Sequence, residues 1–100
     1  MNELTVMYLL KNYHQLKHKL YADTLDENIK REFITLSAIF KDEEILTYKN
    51  GAIQVIILHF VNGLTWEAIA ERMQIGVSTV YLYRKWQLEK LAEVLNIPIE

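Results

Sequence analysis

Apolar residues recur along this chain at spacings of three and four, the period of a helix rather than a strand. Val6, Leu9, Tyr13, Leu16 and Leu20 form a first stripe and predict a helix over 3–20. Such a stripe has two uses: packing on the rest of the domain, or a helix–helix seam with a second copy. Thr24-Leu25-Asp26-Glu27 then has the form of a capping box, with Thr24 as cap, Glu27 reaching back, and Leu25, Ile29, Phe33, Leu36 and Phe40 as the buried face. Asp42-Glu43-Glu44 either continues this helix or opens a short new one, since acids suit a helix N-terminus. Between Ala52 and Val61 the signals conflict. Ile53, Val55, Ile56, Ile57 and Val61 are β-branched and favour a strand, yet Ile53, Ile56, Ile57 and Phe60 share one helical face and Asn50 can cap the start. In a chain otherwise helical, the expectation is a helix.

Residues 63–95 continue with a short helix capped by Thr65 and ending near Met73, a turn at Gln74-Ile75-Gly76, and a long helix from Val77. Ile69, Ala70 and Met73 face inward, and small Ala70 allows a close crossing. Two helices so joined, the second longer, make a helix-turn-helix. With three glycines and one proline among 100 residues, the fold class expected is all-α. It is a single domain over 1–100, of about five helices, with N-terminal helices over 1–48 and the helix-turn-helix over 50–95.

Charge complicates the picture. The net charge is −2, whereas a domain that holds nucleic acid by phosphate neutralisation usually has a basic face. Only the first 22 residues lean basic, through Lys11, Lys17 and Lys19 against Glu3, and Asp23 to Glu44 leans acidic. Nucleic-acid binding would therefore be local, oligomeric or weak. The lack of cysteine fits a reducing compartment and excludes a disulfide scaffold. No apolar run nears the roughly 20 residues of a membrane span and no basic segment precedes an apolar block at the start, so the expectation is a soluble cytoplasmic protein with no membrane partner.

The pattern Thr65-Trp66-Glu67-x-Ile69-Ala70, then Ile75, Ser78-Thr79-Val80, and Gln87-Leu88-x-x-Leu91 resembles the helix-turn-helix of the region-four domain of bacterial sigma factors. It is closer still to small phage and prophage transcriptional regulators of the RinA and ArpU type. The resemblance covers about residues 50–95 and implies a sequence-specific DNA-binding transcriptional regulator, phage or prophage encoded. By this resemblance the helix from Val77 enters the major groove. Val77, Ser78, Tyr81, Leu82 and Lys85 face the bases, Thr79 and Arg84 lie nearby, and Thr65 and Trp66 start the bracing helix. Double-stranded DNA, a homodimer on a pseudo-palindromic site and an RNA polymerase contact are the implied partners. The chain departs from the pattern at two places. Gln74 occupies a turn position often held by Gly or Asn, where a left-handed backbone would cost it about 1 kcal/mol, and Gln87 stands where Ala is usual.

Other readings stand beside this one. Arg, Asn and Gln, which make the strong bidentate base contacts, are missing from the five groove positions, so direct readout should be modest. Val80, Leu88, Leu91 and Leu95 read as core, and Trp66 as packed. Leu82 and Trp86, one turn apart, either pack on the first helix or form an exposed partner patch; Val6, Leu9, Tyr13, Leu16, Leu20 and Trp86 are the expected oligomer or partner surface. That patch and the low positive charge support an alternative, an adaptor working through protein contacts, like accessory proteins of the signal-recognition pathway or a phage DNA-packaging component. His14 and His18 share a face but lack the Glu of a metalloprotease motif and a third ligand, and His59 reads as a partly buried neighbour of the core. No phosphate loop, nucleophile elbow or Cys/His pair occurs. No enzyme, metal or cofactor is expected.

Overall fold

The described residues of the computed structural model, 4–41 and 51–100, are all helix and connecting turns, with no strand among them. The acidic run after Lys41 and the Asn50 cap lie outside the described residues. The first predicted helix is two: α1 (Val6–Lys11) and α2 (Tyr13–Tyr21). Thr5 caps α1 by accepting the N–H of Tyr8 at 3.0 Å. The break is at Asn12, whose side-chain amide and backbone N–H both donate to the carbonyl of Tyr8, at 2.9 and 3.1 Å. An Asn side chain that competes for a backbone acceptor in this way favours a helix end over a helix interior.

The next boundary also differs from expectation. Asp23 adopts a left-handed backbone (φ 56°), and the N–H of Thr24 closes α2 on the carbonyl of Lys19 at 3.0 Å. Thr24 thus ends one helix instead of capping the next. The cap of α3 (Glu27–Lys41) is Asp26, whose carboxylate accepts the N–H of Asn28 at 2.9 Å. The face of α3 is as the pattern predicts: Phe33, Leu36 and Phe40 are buried, with Leu25 and Ile29 packed at the margin.

Helix α4 (Ala52–Ile56) runs into a π-helical turn, Ile57–Val61, in which the N–H of Asn62 reaches the carbonyl of Ile57, five residues back. The β-branched segment is therefore helical, because tertiary burial overrides local propensity. Ile53 and Ile56 enter one apolar cluster, with Val6, Leu9, Leu10, Tyr13, Leu16, Phe33, Leu36, Leu88, Leu91 and Leu95. Val55 and Leu58 enter a second, with Ile69, Ala70 and Val80. A helix buried on two sides is apolar nearly all round, which is why its sequence reads ambiguously.

Helices α5 (Trp66–Met73) and α6 (Val77–Leu95) follow at the predicted boundaries. Asn96, left-handed, ends α6, and the chain turns back so that the carbonyls of Pro98 and Ile99 accept the N–H groups of Val6 and Met7 at 2.9 and 3.0 Å. These bonds satisfy two first-turn donors of α1 that no helix carbonyl can reach.

Because α4 joins the two clusters, Ile53→Ala and Val55→Ala should each lower stability by about 1–4 kcal/mol. Both should shift one common urea transition, seen alike by tryptophan fluorescence and far-ultraviolet circular dichroism. Separate transitions for the two probes would show the clusters to be independent.

Candidate nucleic-acid interface

The turn between α5 and α6 is built from backbone first. Thr65 accepts the N–H of Ala68 at 3.1 Å and so starts α5. At the far end Gln74 takes the left-handed conformation (φ 57°, ψ 45°), and the N–H of Ile75 bonds back to the carbonyl of Ala70 at 3.0 Å. Ile75 then packs on the second cluster, beside Ile69, Ala70 and Val80. Gly76 is extended and provides no side-chain cap to α6. The first N–H groups of α6 thus stand at a positive helix end available to an acceptor.

Along α6 the inner face carries Val80, Leu88, Leu91 and Leu95, all buried as expected, together with Gln87. The outer face carries Ser78, Tyr81, Leu82 and Lys85 in the first half, then Glu89 and Glu93 in the second. Val77 is exposed as well, while Thr79 is half-buried. Of the sequence-selected groove positions, Val77, Ser78, Tyr81, Leu82 and Lys85 all reach solvent from the N-terminal half of one helix. Beyond them Glu89 and Glu93 outnumber the one exposed cation, Lys90, so the N-terminal half is the one better suited to a polyanion.

Trp66 is the hub behind this face. His59, delivered by the π-helical turn, stacks on it with ring centroids 3.7 Å apart and planes at 15°, and holds that pose by donating from Nδ1 to the carbonyl of Leu64 at 2.8 Å. Phe60 meets Trp66 edge-on, Tyr81 lies 6.1 Å from it, and the Arg84 guanidinium sits 5.3 Å above its ring, within cation–π range. Arg84 Nε is buried without a hydrogen-bond partner among the described residues. Arg84 is thus an internal brace between α6 and α5 more than an outward-reaching cation. The sequence marks Trp66 as packed, but neither the π-helical turn nor the His59–Trp66 stack has a local signature.

The expected oligomer surface is corrected. Val6, Leu9, Tyr13 and Leu16 are buried in the chain's own core and Leu20 packs at its edge, so this stripe is not open to a partner. Trp86 behaves otherwise: at 46% exposure, with Leu82 at 43%, it lies in a surface patch beside Tyr83. His14 is engaged by a backbone group, its Nε2 donating to the carbonyl of Val61 at 2.7 Å. Among the described residues no cluster of three or more His, Asp or Glu side chains is placed to hold a metal, and no helix is long and apolar enough to cross a membrane.

Residues 53–98 match a homeodomain-like domain. The matched stretch takes in most of α4, its π-helical turn, α5 and α6, just under half of the chain. The match therefore spans three helical segments, and in homeodomain-like units the last of three such segments is the one placed in the major groove. No curated protein and no solved structure matches the chain. The family match thus gives the helix-turn-helix, at a coarser level than the sigma-like pattern.

The left-handed backbone at Gln74 makes a direct test of the turn. Gln74→Gly should raise stability by about 1 kcal/mol, because glycine adopts this conformation without a Cβ penalty. A higher urea midpoint with an unchanged slope is the expected result, and an unchanged or lower midpoint would show that Gln74 carries no strain.

Proposed function

We propose that this chain is a sequence-specific, DNA-binding transcriptional regulator without enzymatic activity, acting in the cytoplasm. The observation that carries the reading is the exposed row Ser78, Tyr81, Leu82 and Lys85 on the helix that a homeodomain-like helix-turn-helix presents to the major groove. The chemistry of the row is specific in kind. Lys85 suits guanine acceptors, Leu82 and Val77 suit thymine methyl groups, and the Ser78 and Tyr81 hydroxyls suit base edges or phosphates. The uncapped start of α6 adds N–H donors for a phosphate. Trp66, locked between His59 and Arg84, fixes α5 across the backbone side of the groove.

The likeness of Thr65 to Leu91 to sigma region four and to RinA- and ArpU-type regulators supports a phage or prophage origin and an RNA polymerase contact. A two-fold dimer would set two α6 helices about one turn of DNA apart, and since the α1–α2 stripe is buried, its seam would lie elsewhere. The Leu82–Trp86 patch favours a second reading, docking on a protein partner in the manner of a helix-turn-helix adaptor. Salt separates the two: phosphate-driven binding falls steeply between about 50 and 200 mM salt, and apolar docking does not.

The experiment is the double change Tyr81→Ala/Lys85→Ala. Each good base contact contributes about 1–3 kcal/mol of discrimination. The variant should therefore lose sequence preference by about two orders of magnitude in competition binding while its helicity stays unchanged. Retained preference would show that α6 does not read the groove.

A further inference from the structure

The helix-turn-helix half is poor in cations for its role. Residues 51–100 hold four basic and five acidic side chains, one of the four being Arg84, committed to Trp66, and the outer face of α6 ends in Glu89 and Glu93. The exposed cations of this half are Arg72, Lys85 and Lys90, so a further source of charge elsewhere in the molecule would add to affinity for a polyanion. Helix α2 is the opposite case: it carries Lys17, His18 and Lys19 with no acid, and Lys11 precedes it at the end of α1. His14, Lys17, His18 and Tyr21 stand at i, i+3, i+4 and i+7, so they form one stripe, and all four are exposed. Tyr21 is exposed to 76%.

None of the α2 cations is in an ion pair with a described residue. The acids of the following turn and helix pair with α3 instead: Lys30 meets Asp23 at 3.6 Å and Glu27 at 3.9 Å, and Arg31 meets Glu32 at 3.5 Å. The position of the stripe is set by His14, which holds the Val61 carbonyl at 2.7 Å. Val61 ends the π-helical turn that carries His59 under Trp66, and Trp66 begins the helix that braces the groove. The stripe therefore starts beside the end of the π-helical turn whose His59 stacks on Trp66.

We propose that the α2 stripe, centred on Lys17 and His18, is a phosphate-tracking extension of the interface that holds duplex DNA flanking the site read by α6. The proposal rests on the DNA-binding reading above and assigns to α2 the sequence-independent part of the affinity. Lys17 supplies the point charge, and the His18 ring and Tyr21 hydroxyl supply donors to adjacent backbone oxygens.

The test compares the unmodified chain, Lys17→Gln/His18→Gln and Lys17→Arg on a long duplex and on one trimmed to the bound site, across a salt series. On the long duplex the double variant should bind several-fold more weakly, equally on all sequences, and its log-affinity against log-salt slope should be shallower by about 1. Lys17→Arg should restore the slope, and on the trimmed duplex the difference should vanish. An unchanged slope on the long duplex, or a loss confined to particular sequences, overturns the proposal while leaving the groove assignment standing. Absence of duplex binding by the unmodified chain overturns both readings.

Discussion

The structure depends on the burial of α4 on two sides at once. Ile53 and Ile56 face the cluster shared by α1, α2, α3 and the C-terminal half of α6, while Val55 and Leu58 face the cluster shared by α5 and the N-terminal half of α6. A short helix of five residues has little stability of its own in water. Its side chains are held only because both clusters close around them, and α6 is long enough to touch both. The segment that would present itself to DNA is thereby anchored at its far end in a core to which the first forty residues contribute. The carbonyls of Pro98 and Ile99 on α1 complete that closure.

The candidate reading surface is what this packing leaves uncovered on α6. The inner face is consumed by Val80, Gln87, Leu88, Leu91 and Leu95, which fixes the rotation of the helix and hence which residues face out. The outward row is mixed in its first half, and in its second half two acids, Glu89 and Glu93, stand against Lys90, so a polyanion would be better received at the N-terminal half. Rigidity comes from the Trp66 assembly, where a stacked imidazole on one ring and a guanidinium over it join the π-helical turn, α5 and α6. In the proposed reading, sequence recognition and bulk phosphate attraction would fall to different elements, α6 and α2.

Much of this was legible in the sequence, for reasons that can be named. The helix-turn-helix boundaries at Met73 and Val77 follow from local rules, a Thr65 cap and a Gln-Ile-Gly turn, and the core row of α6 follows from its period. The same period, read alone, leaves open whether the first stripe meets its own domain or a second copy; only tertiary contacts show Val6 to Leu16 buried at home. The break at Asn12 and the shift of the α3 cap from Thr24 to Asp26 rest on one side-chain bond and one left-handed residue, each within reach of several alternatives of similar energy. The His59–Trp66 stack and the exposure of Trp86 depend on partners far apart in the chain, which no local pattern encodes.

The central claim, that the N-terminal half of α6 is the reading surface and α2 its electrostatic extension, is tested most directly by backbone amide chemical shifts on addition of duplex DNA. The account predicts perturbations along Val77–Lys85, at the start of α5 and along His14–Tyr21, with the amides of Glu89–Leu95 unmoved. Perturbations centred on the C-terminal half of α6, with Val77–Lys85 silent, would contradict it.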